Sequence, residues 1–310
     1  MSQTVKLNPS VKKKPNNKIG ITHSEKIFYF VVNLLLGIFF LLVLLPLINI
    51  VASSFSTADA VGKGKVLLWP VQPTFEGYTA VFTYKGIWRA YANTIFYTVA
   101  GTAMDMAMTL MAAYPLARRN LPLKKPVIML FMFTMLFSGG MIPSYILMKN
   151  LGLLNTVWAL LLPGLISVYN LIVCRTFMQN IPLDIEEAAK IDGCSDIRYF
   201  FAMVLPLSTT VMAVLSLYYA VGHWNDYFNP WLYLTKTKLY PLQIILRSIL
   251  IQNSFDPESV TSEDDILGNK ALQDLLKYSL IIVSSVPILV AYPWVKRYFM
   301  KGVMLGALKG

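Results

Sequence analysis

Apolar residues run along this chain in long blocks, and polar residues gather between them. Six blocks stand out: about Ile27–Ala52, Trp88–Pro115, Pro126–Met148, Val157–Met178, Leu205–Tyr227 and Leu275–Trp294. Each is near the roughly 20 apolar residues that a helix needs to cross the hydrocarbon core of a bilayer. A backbone at that depth has no water to bond, so a helix is the expected form of every block. The pattern predicts an all-α, polytopic membrane protein with six transmembrane helices. No internal repeat is present.

Composition agrees, since 56% of the 310 residues are hydrophobic and 14% charged, too apolar for a soluble surface built around one core. The formal net charge of +11 matters through its placement. Lys6, Lys12, Lys13, Lys14, Lys18 and Lys26 precede the first block, Arg118, Arg119, Lys124 and Lys125 fill the loop after the second, and Lys296, Arg297, Lys301 and Lys309 follow the sixth. Bases mark the cytoplasmic side, so both termini are expected there. The chain then divides into a basic tail (1–26), a six-span domain (27–300) and a short C-terminal tail (301–310). The first block is long for a signal peptide and lacks a cleavage site, so it reads as an uncleaved span. The bases flank apolar blocks instead of forming a stripe with interleaved aromatics, which argues against a nucleic-acid partner.

Two longer segments, Ser53–Gly86 and Thr235–Asp274, fall outside in this topology, the second carrying "DPESVTSEDD". The Pro, Gly and aromatic content of Gly62–Phe82 reads as irregular chain with a short interfacial helix, Trp69 and Tyr78 near headgroup depth. Cys174 and Cys194 lack Cys-x-x-Cys spacing and imply neither a zinc site nor a disulfide. No Gly-x-x-x-x-Gly-Lys-Ser loop occurs, so the chain has no means of hydrolysing ATP by itself.

The cytoplasmic stretch between the fourth and fifth blocks, residues 181–206, is the most charged insert. Pro182 and Asp184 form a helix start signal, with acids near the positive end of the dipole. Glu186, Glu187, Ala188, Ala189 and Lys190 continue the helix, and Gly193 breaks it. A second helical piece begins near Ser195, carries Ile197, Arg198, Phe200 and Phe201, and reaches Pro206. Two readings stay open: a solvated turn, or a helix whose small residues Ala188, Ala189 and Gly193 admit a partner's groove while Glu187 offers a carboxylate.

Ionisable residues at membrane depth are functional candidates. Asp105 sits mid-block in "GTAMDMAMTLMAAY", whose small residues suggest close helix packing; it either bonds a neighbouring helix or partner, or faces a cavity and accepts hydroxyls of a solute. The fifth block holds Tyr218, Tyr219, His223, Trp224, Asn225 and Asp226, which suit a path for a hydroxyl-rich solute or an outer aromatic belt with a polar helix end. Helical spacing puts Tyr219, His223 and Asp226 on one face and Tyr218 with Asn225 on another. Ser208–Thr210 reads as helix packing, and Ser138-Gly139-Gly140 with Pro143 as a loosened point or kink in the third block. An intramembrane enzyme using Asp105 or His223 is a competing reading, weakened by the lack of a second reactive group at matching depth.

The loop itself resembles a family signature. Glu187-Ala188-Ala189, Gly193, Met203 and Leu205-Pro206 match the Glu-Ala-Ala loop of permease subunits of ATP-binding-cassette importers, with Met203 where Ile is commoner. "WNDYFNPWLYL" (Trp224–Leu234) and "KGVMLGALKG" (Lys301–Gly310) resemble the carbohydrate branch, similar to the smaller maltose-type permease. "SGGMIPSYILMKNLGLLNT" (Ser138–Thr156) resembles a Gram-positive sub-branch importing complex oligosaccharides. A permease of the same superfamily for peptides, amino acids or metals is the nearest alternative.

The resemblance implies a type I importer permease fold in the bacterial plasma membrane, with no cofactor of its own. Its implied partners are a second homologous permease, two ATPase subunits that use ATP and Mg, an extracellular solute-binding lipoprotein, membrane lipids and an oligosaccharide substrate. It further implies that Glu187, Ala188, Ala189, Asp192 and Gly193 form a coupling helix seated on the ATPase, and that Trp224 and Asn225 serve structure or gating.

Overall fold

The computed structural model describes residues 22–84, 86–251, 274–290 and 292–293. Most of the lysine-rich tail, the "DPESVTSEDD" segment, Trp294 and the C-terminal tail lie outside the described residues. Helices follow one another as α1 (His23–Ser54), α2 (Ala58–Gly62), α3 (Glu76–Thr83), α4 (Ile87–Ala117), α5 (Lys124–Leu136), α6 (Met141–Asn150), α7 (Trp158–Leu161) and α8 (Val168–Gln179). Then come α9 (Leu183–Ile191), α10 (Asp196–Tyr199), a π turn (Phe200–Val204), α11 (Leu205–Leu207), α12 (Thr209–Asn225), α13 (Phe228–Tyr233), α14 (Leu242–Ile251) and α15 (274–290). No strand occurs among the described residues.

Residues up to Ile48 and residues from Asn49 onward form two units. The first is the apolar bulk of α1, with Phe39 at 64% and Leu42 at 63% exposure, a surface suited to lipid. In the second unit α4 is the central rod, packed against α12, α8, α14 and α7. Its inward face carries small or compact residues, Ala90, Thr94, Gly101, Asp105, Thr109 and Ala113, spaced at four- and seven-residue intervals that keep them on one side. Large side chains from the neighbours, among them Leu171, Leu215 and Tyr219, fill the space they leave.

The apolar blocks are found, but fewer of them are straight helices than the pattern predicts. α1 and α4 are each long and apolar enough to cross a membrane, and counting each bent helix pair as one span raises the number from 2 to 4. The third block is broken: α5 and α6 diverge by 109° across Phe137–Gly140. Gly140 sits at φ +86°, a conformation that excludes most side chains. The fourth block is interrupted between α7 and α8, where Pro163 and Gly164 intervene and Ser167 caps α8 by accepting from Asn170 N at 3.4 Å.

The fifth block starts later than its apolar run. Pro206 lacks the amide that would continue the ladder, the chain takes a π turn just before it, and Ser208 marks a 78° bend into α12. A short helix does occur in Gly62–Phe82: α3, whose Tyr78 hydroxyl bonds Ser54 Oγ at 2.8 Å.

One end of α4 is stitched to the chain that follows α13. Asn93 Nδ2 donates to the carbonyls of Lys238 and Tyr240 at 2.9 and 3.0 Å, the Tyr97 hydroxyl to Leu239 O at 2.9 Å, and Thr94 Oγ1 accepts from Leu242 N at 2.8 Å. Tyr91 reaches α15, its hydroxyl donating to Val283 O at 2.6 Å.

A glycine pair tests this packing. A Cβ on Gly101 would lie 2.5 Å from His223 Nε2, whereas one on Gly222 meets nothing within 4 Å. Both are helical, so propensity favours alanine by about 0.5–1 kcal/mol at each. Gly222→Ala is expected to hold or raise the thermal midpoint of the purified protein, and Gly101→Ala to lower it through about 1–3 kcal/mol of overpacking.

Candidate functional site

The loop between α8 and α12 has the expected helix, turn, helix form. Pro182 precedes α9, whose first turn holds Asp184 and Glu186. Asp192 ends α9, and Gly193 takes φ +69° so that its amide and that of Cys194 return to the carbonyls of Lys190 and Ala189 at 3.0 and 2.9 Å. Ser195 then caps α10, its hydroxyl accepting from Arg198 N at 3.4 Å.

Glu187, Ala188, Asp192 and Gly193 are exposed on this loop. Ala189 is not: at 2% exposure it belongs to the core formed with α4, α8 and α12, so the expected pair of outward small residues reduces to Ala188. Helical spacing explains the difference, since adjacent residues point about 100° apart. In its place the turn presents Ile191 at 86% and Ile197 at 74% exposure, giving an apolar knob with an acidic margin.

Arg118, at the other end of α4, holds this loop. Its Nη1 lies 2.9 Å from Glu186 Oε2 as an ion pair, and its Nη2 donates to Asp196 Oδ1. The guanidinium also lies over the Tyr114 and Tyr199 rings, 5.4 and 5.6 Å from their centroids. Lys190 joins Glu186 at 2.7 Å one helical turn along. One cation from α4 thus binds an acid in each helix of the loop. In the sequence Arg118 served only to orient the chain; its position just past Pro115, facing a loop rich in acids, was the available signal.

A second polar cluster lies on the α4–α12 seam. Asp105, 4% exposed, is hydrogen-bonded through Oδ2 to His223 Nε2 at 2.8 Å, and Thr109 Oγ1 bonds the Tyr219 hydroxyl at 2.7 Å. A step of four forward on α4 is a step of four backward on α12, the signature of antiparallel neighbours. Tyr219 also accepts from Ser167 N at 3.3 Å, drawing in the start of α8. Asp105 and His223, treated separately in the sequence, are therefore partners, each occupied by the other.

Asp226 does not share the face of Tyr219 and His223. α12 ends at Asn225, and the Asp226 carboxylate instead accepts from Asn229 N at 3.2 Å and Nδ2 at 2.8 Å, setting the start of α13. Tyr218 is exposed, as is Asn225, whose Nδ2 donates to Val221 O at 2.9 Å. Trp224 is buried and donates from Nε1 to Ser284 O of α15 at 3.1 Å. Both cysteines are free thiols.

No family model matches the chain. The polygalacturonan/rhamnogalacturonan transport system permease protein YtcP of Bacillus subtilis (strain 168) is 41% identical over 88% of this chain and 94% of its own length. The chain belongs to the permease subunits of carbohydrate-importing ABC transporters. Protein LplC of the same organism is 40% identical over 86% of this chain and 90% of its own. Among solved structures, a bacterial ABC transporter involved in the import of the acidic polysaccharide alginate contains a chain 33% identical, with TM-score 0.83 over 90% of this chain and 98% of that one. The permease is thus an integral membrane transport subunit and not itself an enzyme.

The latch defines a measurable local stability. Breaking a fully buried ion pair costs about 3–5 kcal/mol, and Arg118 and Glu186 are partly open, so about 1–3 kcal/mol is expected for Arg118→Gln. Hydrogen exchange should accelerate by roughly tenfold or more across α9 and α10, about the factor that 1.4 kcal/mol brings, with α12 less affected. Arg118→Lys should fall between, since it keeps the charge but not the fork.

Proposed function

We propose that this permease is a six-span subunit in a bacterial plasma membrane, both termini cytoplasmic, forming one half of a translocation pathway with a second homologous permease. Two ATPase subunits, which bind the ATP and Mg, act on the loop at Glu187–Gly193. An extracellular solute-binding lipoprotein delivers the substrate. ATP binding draws the loops of the two permeases together, and the pair passes between inward- and outward-facing arrangements by rigid-body rotation.

The observation that carries this reading is the exposed α9–α10 turn latched to α4 by Arg118. Ile191, Ala188 and Ile197 form a knob that fits an apolar groove, and the ion pairs behind it hand displacement to the central rod of the fold. A solvated turn has no need of either feature. The basic groups at Arg118, Arg119, Lys124 and Lys125 support the orientation that brings the knob to the ATPase side.

For substrate we infer an acidic, uronate-containing oligosaccharide. The named cargoes of YtcP and of the alginate importer are both uronate-containing polysaccharides, and these relatives align with this chain over most of its length.

The test is uptake by the reconstituted complex with its binding protein, supplied with oligogalacturonides, alginate oligomers and neutral maltodextrins. Acidic oligomers are expected to enter in an ATP-dependent manner, and Glu187→Ala or Gly193→Pro to reduce uptake at least tenfold while weakening ATPase retention on the permease. Normal transport by Gly193→Pro would return the loop to a solvated turn, and preferential uptake of maltodextrins would overturn the acidic substrate.

A further inference from the structure

The far end of α12 carries a patch that the coupling loop does not use. On α14, Gln243 and Arg247 are four residues apart and share one face. Both reach the corner where α12 gives way to α13. Gln243 Nε2 donates to Asn225 Oδ1 at 3.3 Å, and the Arg247 guanidinium lies 4.7 Å from the Trp231 ring centroid and 5.4 Å from that of Tyr227. The rings are far from enclosed: Trp231 is 51% exposed and Tyr227 47%.

Arg247 has no carboxylate partner among the described residues. Stacking on an aromatic face uses the flat side of a guanidinium and leaves its N–H donors pointing outward in the plane. Those donors form a fork that matches a carboxylate with two parallel hydrogen bonds. Beside it stand two amides able to bond hydroxyls and two aromatic surfaces able to cover the C–H patches of a sugar ring. A neutral sugar would use the amides and rings and leave the fork unsatisfied. A uronate residue uses all of them.

Position agrees with that chemistry. The 17 residues of α12 place this corner about 25 Å from the foot of that helix at Thr209. In the topology proposed above the corner is at the outer end, where a substrate released by the binding protein first meets the permease.

We propose that Arg247, with Tyr227, Trp231, Asn225 and Gln243, forms a subsite that reads a carboxylate of an acidic oligosaccharide entering the pathway. This rests on the acidic-oligosaccharide reading and adds to it the residue that enforces the preference. A purely structural stack, in which Arg247 only pins α14 to α13, is the competing account, and it makes no distinction between an acid and its ester.

The experiment is competitive uptake by the reconstituted complex of an oligogalacturonide and its fully methyl-esterified counterpart, differently labelled, at saturating binding protein. The wild-type complex is expected to favour the acid, Arg247→Gln to cut the acid-to-ester ratio about tenfold toward unity, and Arg247→Lys to restore part of it. If Arg247→Gln lowers entry of both sugars with the ratio intact, the residue is a structural pin and the subsite is refuted. If the wild-type complex shows no preference for the acid, the substrate reading has failed before the variant is considered, and the subsite falls with it.

Discussion

The α4–α12 seam is the interaction on which the remaining architecture depends. Lipid tails are as apolar as leucine, so burial of hydrocarbon does little to hold helices together inside a bilayer, and close packing and hydrogen bonds must do it. Gly101 lets the His223 ring approach, Asp105 receives it at 2.8 Å, and Thr109 meets Tyr219 one turn further on. Each bond shields its own polar atoms from hydrocarbon and at the same time sets the register of the two helices. A carboxylate placed without its imidazole would be costly at that depth, which makes the pair self-enforcing.

With that seam in place, α4 connects events at its two ends. At one end Arg118 joins Glu186 and Asp196, the two acids that flank the exposed turn. At the other, Asn93, Thr94 and Tyr97 bond the chain leading into α14, and Tyr91 reaches α15. Side chains at both ends bond backbone or charged groups of segments distant in sequence, so a single helix ties the loop to α14 and α15.

Much of this was legible in the sequence, and the failures have physical causes. The apolar blocks identified where the long elements lie, and Pro182, Gly193 and Ser195 marked the loop's turn because each has a definite backbone role. Breaks inside blocks were harder: hydropathy is blind to direction, and a Gly140 at positive φ or a Pro206 after a π turn bends a segment without changing its apolarity. The partnership of Asp105 with His223 was hidden because the two are 118 residues apart. Asp226 was misplaced because helical spacing was continued one residue beyond the end of α12. Ala189 was assigned outward on size alone, when its neighbours Ile185 and Tyr199 show that small residues also serve where a loop must lie close to its own core.

The 78° bend at Ser208 also determines how a push on the loop is received. The cosine of 78° is about 0.2, so only about a fifth of any displacement along α10 and α11 projects onto the axis of α12. The remainder acts crosswise at the helix foot. A push along α10 and α11 would therefore load α12 as a crank is loaded, tending to swing it about its seam with α4 instead of shifting it lengthwise.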